Sequence, residues 1–282
     1  MVVAVIGLGL IGGSAALDLK ARGFTNKIIG LEKNADNARL ALKRGIADVL
    51  ADNLQEAIVG ANLVILAVPV KEIIALLPEV LELSGEGKVI LDMGSTKQGI
   101  VSCVSAHRYR SSFVATHPMA GTEFSGPSAA IYNLFDGKVA IVCDKNHSHP
   151  DALAIVESLY RTLKMPIVYM EAEEHDLHAA YVSHISHISS FALANTVLMK
   201  EKSVSNIFHL ASGGFTSTVR LAKSSPNTWV QIFEQNKGHV LEVLDAYIGV
   251  LTEWREHLQR GEFEEVYRLM GEANAIGKIL NK

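Results

Sequence analysis

The stretch VVAVIGLGLIGGSAALDL, residues 2–19, decides the fold of this chain. It opens with five apolar residues, a pattern typical of a strand buried on both faces. Glycines follow at positions 7, 9 and 12, and a helical pattern begins directly after them. At such a turn Gly7 allows the tight bend, Gly9 lets a pyrophosphate approach the backbone, and Gly12 lets helix and strand pack closely. The stretch therefore predicts a dinucleotide whose phosphates lie at a helix N-terminus.

An acidic residue at the end of the second predicted strand supports this interpretation. Glu32 stands in KIIGLEKN, residues 27–34, where a carboxylate can accept hydrogen bonds from both ribose hydroxyls and repel a 2′-phosphate. This favours NAD over NADP, although Lys33 weakens the preference, and the alternative is a solvated loop acid. The residues predicted to contact the cofactor are Gly7, Gly9, Leu10, Ile11, Gly12, Glu32, Val68 and Pro69.

Short apolar runs alternate with helical patterns over residues 1–170. This alternation predicts an α/β fold with a Rossmann-type, doubly wound, mostly parallel sheet. The predicted strands are Val2–Ile6, Lys27–Leu31, Leu63–Ala67, Val89–Asp92, Phe113–Thr116, Val139–Cys143 and Ile167–Met170. Helices are predicted at Ser14–Arg22, Ala35–Arg44 and Lys71–Glu82.

The pattern becomes purely helical after Glu171. One long helical pattern covers residues 171–202, and helices continue to residue 282 with breaks at SGGF, SSPN and RGEF. We therefore predict a dinucleotide-binding domain over residues 1–170 and an all-helical domain for substrate binding and dimerisation over residues 171–282. A short apolar helical domain often shares its core with a second copy, so a homodimer is expected.

Composition excludes several classes of function. The formal net charge is −4 and no basic run is present, which argues against a nucleic-acid or membrane-surface partner. The apolar N-terminus is broken by glycines and lacks a basic leader, so neither a signal peptide nor a membrane span is predicted. The two cysteines do not form a disulfide framework, in keeping with a cytoplasmic protein.

Two polar residues follow strands at the edge where open α/β sheets bind ligands. His117 ends the run Phe113–Thr116, and Pro118 holds it extended. A neutral imidazole there can accept a proton from a substrate hydroxyl while hydride leaves the same carbon, with a pKa near the usual value of about 6.5. Ser95 either caps the next helix or faces the substrate. On position alone, His117 can equally be a residue that merely ends a strand.

The helical half adds histidines and an arginine. His175 and His178 lie three residues apart, as do His184 and His187, so each pair shares a helix face. No acidic residue completes the spacing of a zinc motif, and no metal site is predicted. Arg220 lies in a run poor in charge and is either a bidentate clamp for a carboxylate or a surface arginine paired with a neighbour.

Five motifs in order resemble the prephenate/arogenate dehydrogenase family of tyrosine biosynthesis over nearly the whole chain. They are GLGLIGGS, DMGSTK, THPMAGTE, SHISHI and GFTSTVRLAKSSPNTW. The resemblance implies oxidation of prephenate by NAD⁺ with loss of CO₂, which gives 4-hydroxyphenylpyruvate. Two further features of the family are expected to be absent, because no mutase-like helical pattern precedes Val2 and no pattern of a regulatory domain follows the helices that end at Lys282.

The resemblance further implies roles for particular residues. His117 is the base at the 4-hydroxyl, and Ser95 orients His117 and the substrate. The implied substrate-binding residues are Arg220, which grips a carboxylate, together with His187, His184, Glu123 and Trp229.

One position departs from the family pattern. Ser217 stands where the family often has aspartate, which implies that Glu123 lacks its partner network and mildly favours prephenate over arogenate. The alternatives that stay open are an arogenate (cyclohexadienyl) dehydrogenase, a β-hydroxyacid dehydrogenase-like oxidoreductase and a non-catalytic NAD-dependent regulator.

Overall fold

The computed structural model describes residues 1–204 and 207–280. Its first 170 residues contain one eight-stranded sheet. The strand order is β3-β2-β1-β4-β5-β6-β7-β8, and all neighbours are parallel except the antiparallel pair β6 and β7. The strands are β1 (Val2–Ile6), β2 (Lys27–Leu31), β3 (Val49–Leu50), β4 (Leu63–Leu66), β5 (Val89–Asp92), β6 (Phe113–Pro118), β7 (Ala140–Cys143) and β8 (Ile167–Met170). The predicted Rossmann-type architecture is confirmed.

Thirteen α-helices accompany the strands in the described residues, and the rest of those residues form shorter helical turns and loops. In order the α-helices are α1 (Leu10–Ala21), α2 (Ala35–Lys43), α3 (Leu54–Val59), α4 (Val70–Ser84), α5 (Gln98–Ser102), α6 (Pro150–Thr162), α7 (Ala172–Ala179), α8 (Ile185–Glu201), α9 (Gly213–Thr218), α10 (Pro226–Gln235), α11 (Lys237–Arg260), α12 (Phe263–Ala273) and α13 (Ile276–Leu280). In none of the described helices is there an apolar stretch of the length that crosses a bilayer.

The central strands are continuously apolar because both of their faces are buried. All four residues of β4 and of β5 are buried, and alternate side chains enter two separate cores, one on each face of the sheet. The strand order reverses between β1 and β4, since β1 pairs with both β2 and β4. Ligands in open α/β sheets bind at the carboxyl ends of the strands next to such a reversal.

Besides shifts of one residue at the end of β4 and at the start of β7, two details of the sheet differ from the sequence prediction. The two-residue strand β3 was not predicted, because so short a run carries no periodicity. The strand β6 continues through His117 to Pro118 instead of ending at Thr116. Proline is tolerated there because β6 pairs with β5 only at Phe113 and Val114, so the nitrogen of Pro118 needs no ladder partner on that side.

The predicted long helix after Glu171 contains a π turn. The helix α7 runs into a π-helical turn at Ala180–His184, and α8 follows directly. After Met170 the described residues form only helices, turns and loops, as the sequence predicts. The chain forms two compact units, Met1–Lys237 and Gly238–Lys282. The predicted domain boundary at residues 170 and 171 stays a prediction, and its C-terminal limit at Lys282 lies outside the described residues.

Candidate active site

The glycine-rich turn after β1 has the geometry of a phosphate cradle. Gly7 has a φ of +93°, and a Cβ there would lie 2.6 Å from the carbonyl oxygen of Ala67. A Cβ on Gly12 would meet the carbonyl oxygen of Gly7 at 2.1 Å, whereas one on Gly9 would point into open space. The helix α1 begins directly after Gly9 with no side-chain cap. Its first N–H groups and the open space above Gly9 therefore fit a pyrophosphate.

Glu32 holds the glycine-rich turn from the end of β2. Its carboxylate accepts hydrogen bonds from the backbone N–H of Leu8 at 3.1 Å and from that of Asn34 at 3.1 Å. A carboxylate oxygen can accept more than one hydrogen bond, so these contacts leave capacity for ribose hydroxyls. The side chain is therefore both part of the turn and a candidate ribose ligand.

One cleft of about 530 Å³ joins the glycine-rich turn to the helical half. Its walls come from the carboxyl ends of the central strands, the start of α1, the loop after β6, the helices α7, α8 and α10, the π turn at Ala180–His184 and the turn after α9. Of the predicted site residues, those that line it are Gly9, Leu10, Ile11, Val68, Pro69, Ser95, His117, Glu123, His184, His187, Arg220 and Trp229. Gly7, Gly12 and Glu32 are not part of its lining.

His117 is held in the cleft wall by a second histidine. Its Nδ1 lies 2.8 Å from Nε2 of His175, and the two rings meet edge to face. Burial is the main cause that holds the pKa of His117 well below its usual range, and the charges that His175, Lys97 and His184 can carry act in the same direction. The expectation of a pKa near 6.5 is therefore wrong, and His117 stays neutral to lower pH.

Beneath His117 lies a buried ion pair that the sequence analysis missed. Lys97 and Asp92 are fully buried and form a salt bridge, and Lys97 Nζ also donates to the carbonyl oxygen of Thr116 at 2.6 Å. Asp92 accepts hydrogen bonds from the N–H of Gly94 at 2.8 Å and of Thr116 at 3.1 Å. The available signal was an aspartate and a lysine in DMGSTK directly after a buried strand. The pair joins β5 to β6 next to His117.

Ser95 lines the cleft, but its hydroxyl forms no hydrogen bond with another described residue. The histidine that it was expected to orient is bound by His175 instead. The hydroxyl is therefore available to a bound molecule, and its predicted role towards substrate stays a prediction.

Two helix histidines and a tryptophan form the aromatic wall. His187 stacks on Trp229 with ring centroids 3.4 Å apart, and its Nδ1–H donates to the carbonyl oxygen of Ser183 at 3.0 Å. His184 is buried, and Nδ2 of Asn236 donates to its Nδ1 at 3.2 Å. Burial lowers the pKa of His184 to about 4 and also lowers that of His187. Both rings are therefore neutral at pH 7.

An ion pair spans the mouth of the cleft. Arg220 Nη1 lies 3.9 Å from Oε2 of Glu123, and the Arg220 side chain is 55% exposed. Glu123 therefore has a charged neighbour in Arg220, and the expectation that it lacks the network of an aspartate at position 217 stays a prediction. At 3.9 Å the contact is loose, so the guanidinium keeps donors free for an incoming carboxylate.

Comparison with known proteins identifies the family. Residues 15–169 match the nucleotide-binding domain of prephenate dehydrogenase, and residues 171–272 match the dimerization domain of prephenate dehydrogenase. The chain belongs to the prephenate dehydrogenase family. The resemblance seen in the sequence motifs is thereby confirmed.

Three relatives illustrate the similarity. Prephenate dehydrogenase of Bacillus subtilis is 33% identical over 270 residues, which is 94% of this chain and 72% of that protein. Cyclohexadienyl dehydrogenase of Zymomonas mobilis is 31% identical over 254 residues, 90% of this chain and 87% of that protein. The crystal structure of prephenate dehydrogenase from A. aeolicus in complex with hydroxyphenyl propionate and NAD⁺ has a TM-score of 0.89 and 28% identity, and the match covers 100% of this chain and 98% of that one.

Proposed function

We propose that this protein is an NAD-dependent prephenate dehydrogenase that forms 4-hydroxyphenylpyruvate and CO₂ for tyrosine biosynthesis. The observation that carries the proposal is that one cleft contains the glycine-rich turn, a neutral His117 and the guanidinium of Arg220. These are a nucleotide cradle, a proton acceptor and a carboxylate ligand. Relatives named for prephenate and for NAD⁺ support the same choice.

The reaction requires little covalent chemistry from the protein. Hydride leaves C4 of prephenate, the bond from the ring to its carboxylate breaks, and its electrons make the ring aromatic. NAD⁺ bound along the glycine-rich turn and Glu32 would supply the hydride acceptor. The 4-hydroxyl transfers its proton to Nε2 of His117 as C4 becomes carbonyl-like. His117 returns this proton to the oxygen as the ring becomes aromatic. No net proton is released.

The other cleft residues bind and orient the substrate in this proposal. Arg220 binds one substrate carboxylate, and the hydroxyl of Ser95 helps to place the ring hydroxyl near His117. The stacked pair of His187 and Trp229 provides a flat wall for the ring, and neutral His184 lines the cleft beside it, edge-on to Trp229. Because both histidines are neutral, the wall does not compete with Arg220 for the carboxylate.

A second candidate activity is oxidation of arogenate, which carries an ammonium group in place of the keto group. Glu123 favours it, because this carboxylate lines the cleft next to Arg220 and can accept hydrogen bonds from an ammonium. A relative named cyclohexadienyl dehydrogenase supports keeping this activity open. Ser217, at the position where the family often has an acid, favours prephenate.

Turnover tests the proposal directly. Purified protein with NAD⁺ and prephenate should yield NADH and 4-hydroxyphenylpyruvate in equal amounts, with arogenate and small 3-hydroxyacids turned over more slowly. Faster turnover of arogenate would establish the second candidate instead. Turnover of 3-hydroxyacids alone would support the β-hydroxyacid dehydrogenase alternative, and NAD⁺ binding without turnover of any of them would support a non-catalytic regulator.

Replacing Glu32 with alanine should lower the preference for NAD⁺ over NADP⁺. The variant loses hydrogen bonds to the ribose and the repulsion of a 2′-phosphate, so the ratio of kcat/KM values should fall by about tenfold or more. Asp36→Ala, which removes an exposed acid at the start of α2, is the matched control. An unchanged ratio in Glu32→Ala would mean that Glu32 serves only the glycine-rich turn.

Replacing Arg220 with alanine should mainly raise KM for prephenate. The carboxylate is present in both the ground state and the transition state, so losing its ligand removes uniform binding. A charged hydrogen bond is worth about 1.5–3 kcal/mol, which corresponds to an increase in KM of about tenfold to a hundredfold. Lys223→Ala, on an exposed neighbour outside the cleft, should leave KM unchanged. A fall in kcat with constant KM would place Arg220 at the reacting centre instead.

We also propose that the protein is a cytoplasmic homodimer assembled through residues 171–282. The match to a dimerization domain supports this, as does the apolar row Phe263, Tyr267 and Met270 on α12, whose side chains are 67%, 77% and 53% exposed in the single chain. Light scattering should give twice the monomer mass at micromolar concentration. A monomer under those conditions contradicts the proposal.

A further inference from the structure

Two consecutive residues of α7, His175 and Asp176, form a buried hydrogen-bonded chain behind His117. Nδ1 of His117 lies 2.8 Å from Nε2 of His175, and Nδ1 of His175 lies 2.8 Å from Oδ1 of Asp176. The residues His175 and Asp176 are 1% and 2% exposed. This row of hydrogen bonds therefore leads from the cleft wall into the protein interior, where His175 and Asp176 are shielded from bulk water.

Asp176 is fixed by the start of α5. Its Oδ1 accepts a hydrogen bond from the N–H of Lys97 at 2.7 Å, and its Oδ2 accepts one from the N–H of Gln98 at 2.9 Å. The carbonyl oxygen of Asp176 accepts from Nδ2 of Asn236 at 2.7 Å. Both side-chain oxygens therefore act as acceptors, and the carboxylate cannot rotate without losing hydrogen bonds.

This arrangement determines where the imidazole protons lie. An ionised carboxylate only accepts hydrogen bonds, so Nδ1 of His175 carries a proton. In a neutral His175 ring Nε2 is then the acceptor, and Nδ1 of His117 must carry the proton that it receives. The remaining ring nitrogen of His117, Nε2, is left unprotonated, and it forms no hydrogen bond with another described residue.

We propose that His175 and Asp176 are positioning residues that hold His117 in the tautomer with a free Nε2, ready to accept the proton of the substrate hydroxyl. The inference rests on the proposed function, since it assigns the means by which that site obtains its base. Without these hydrogen bonds, both neutral tautomers of His117 would be populated. One of them presents a donor instead of an acceptor to the substrate.

The hydrogen bonds from His117 through His175 to Asp176 also matter while His117 carries the proton of the substrate hydroxyl. The hydrogen bond from Nδ1 of His117 strengthens when the ring becomes positive, and the Asp176 carboxylate lies at the far end of the chain. The titratable groups that face His117 from the surrounding elements are His175, Lys97 with its partner Asp92, and His184. Asp176 adds the negative charge that opposes the cationic members of this set.

The tautomer can be observed without substrate. In protein labelled with ¹⁵N-histidine, the NMR spectrum at pH 7.5 (a working value about one unit above the usual histidine pKa) should show His117 with Nδ1 protonated and Nε2 unprotonated. In His175→Leu, Nδ1 of His117 loses its acceptor, so the same signals should move towards a mixture of the two tautomers. His178→Leu, which removes an exposed histidine of the same helix, is the matched control.

Kinetics of the same variants give a second readout. Loss of an outer partner that sets a tautomer typically costs about 10–100-fold, so His175→Leu should lower kcat by that factor with KM almost unchanged. His175→Gln should recover most of the loss, because Oε1 of glutamine can accept from Nδ1 of His117. NAD⁺ affinity and the thermal unfolding midpoint of His175→Gln should equal those of the parent protein.

Three results would overturn the proposal, and two of them are seen in the NMR spectrum. One is a wild-type spectrum in which Nε2 of His117 carries the proton, and the other is a spectrum of His117 that His175→Leu leaves unchanged. Equal losses of kcat in His175→Leu and His175→Gln would likewise assign His175 a packing role only. The NMR spectrum needs no substrate, so it tests this inference even if the protein does not turn over prephenate. Failure of the proposed function can therefore be told apart from failure of this inference.

Discussion

Replacing His117 with asparagine should lower kcat by about 10²–10⁴-fold, the usual cost of losing a positioned general base. The proton moves only as hydride leaves, so the residue acts in the transition state and KM for prephenate should hardly change. Asparagine is similar in size and keeps a polar group next to His175, so the fold should be retained. Steady-state kinetics of His117→Asn against His178→Asn, an exposed histidine outside the cleft, measure the effect.

The pH dependence provides a control on this assignment. Because the pKa of His117 is held below about 6.5, kcat/KM of the parent protein should stay level through neutral pH and fall only at lower pH, as the ring becomes protonated. This acid limb should be absent in His117→Asn. A normal kcat, or an acid limb that persists in the variant, would move the base to another cleft residue.

The second large effect concerns stability. Replacing Lys97 with methionine should lower the free energy of unfolding by about 3–5 kcal/mol, because it leaves the carboxylate of Asp92 buried without its charged partner. The variant also loses the hydrogen bond from Nζ to the carbonyl oxygen of Thr116, next to His117. Urea unfolding followed by far-UV circular dichroism measures the change.

A surface pair offers the matched control for this substitution. Lys20 and Asp48 form a salt bridge whose side chains are 27% and 35% exposed, and Lys20→Met should cost about 0–1 kcal/mol. A loss in Lys97→Met no larger than that in Lys20→Met would show that the buried pair does not stabilise the fold.

The sequence predicted the parts of the fold and site that depend on local patterns. Apolar runs of four or five residues located seven of the eight strands, and the spacing of Gly7, Gly9 and Gly12 located the turn that the structure shows. Position at the carboxyl ends of strands was enough to bring Ser95 and His117 to one cleft. The catalytic and binding roles assigned to the cleft residues stay predictions.

The missed features depend on contacts between residues that are far apart in the sequence. His117 and His175 are 58 positions apart, and the spacing of the histidines alone suggested only a pairing of His175 with His178. Burial of Lys97 was equally hidden, since a lysine in a loop is usually solvated. The contact between Glu123 and Arg220 required the loop after β6 and the turn after α9 to be placed in space.

The π turn at Ala180–His184 changes which side chains share a face of the helical segment. In a regular α-helix each residue advances by about 100°, so His175 and His187, twelve positions apart, would point about 120° away from each other. A π turn absorbs one extra residue, which reduces the angular difference to about 20°. The insertion thus brings His175 and His187 nearly into phase, and removing one residue from the turn would rotate His187 and everything after it on α8 away from the cleft that His187 lines.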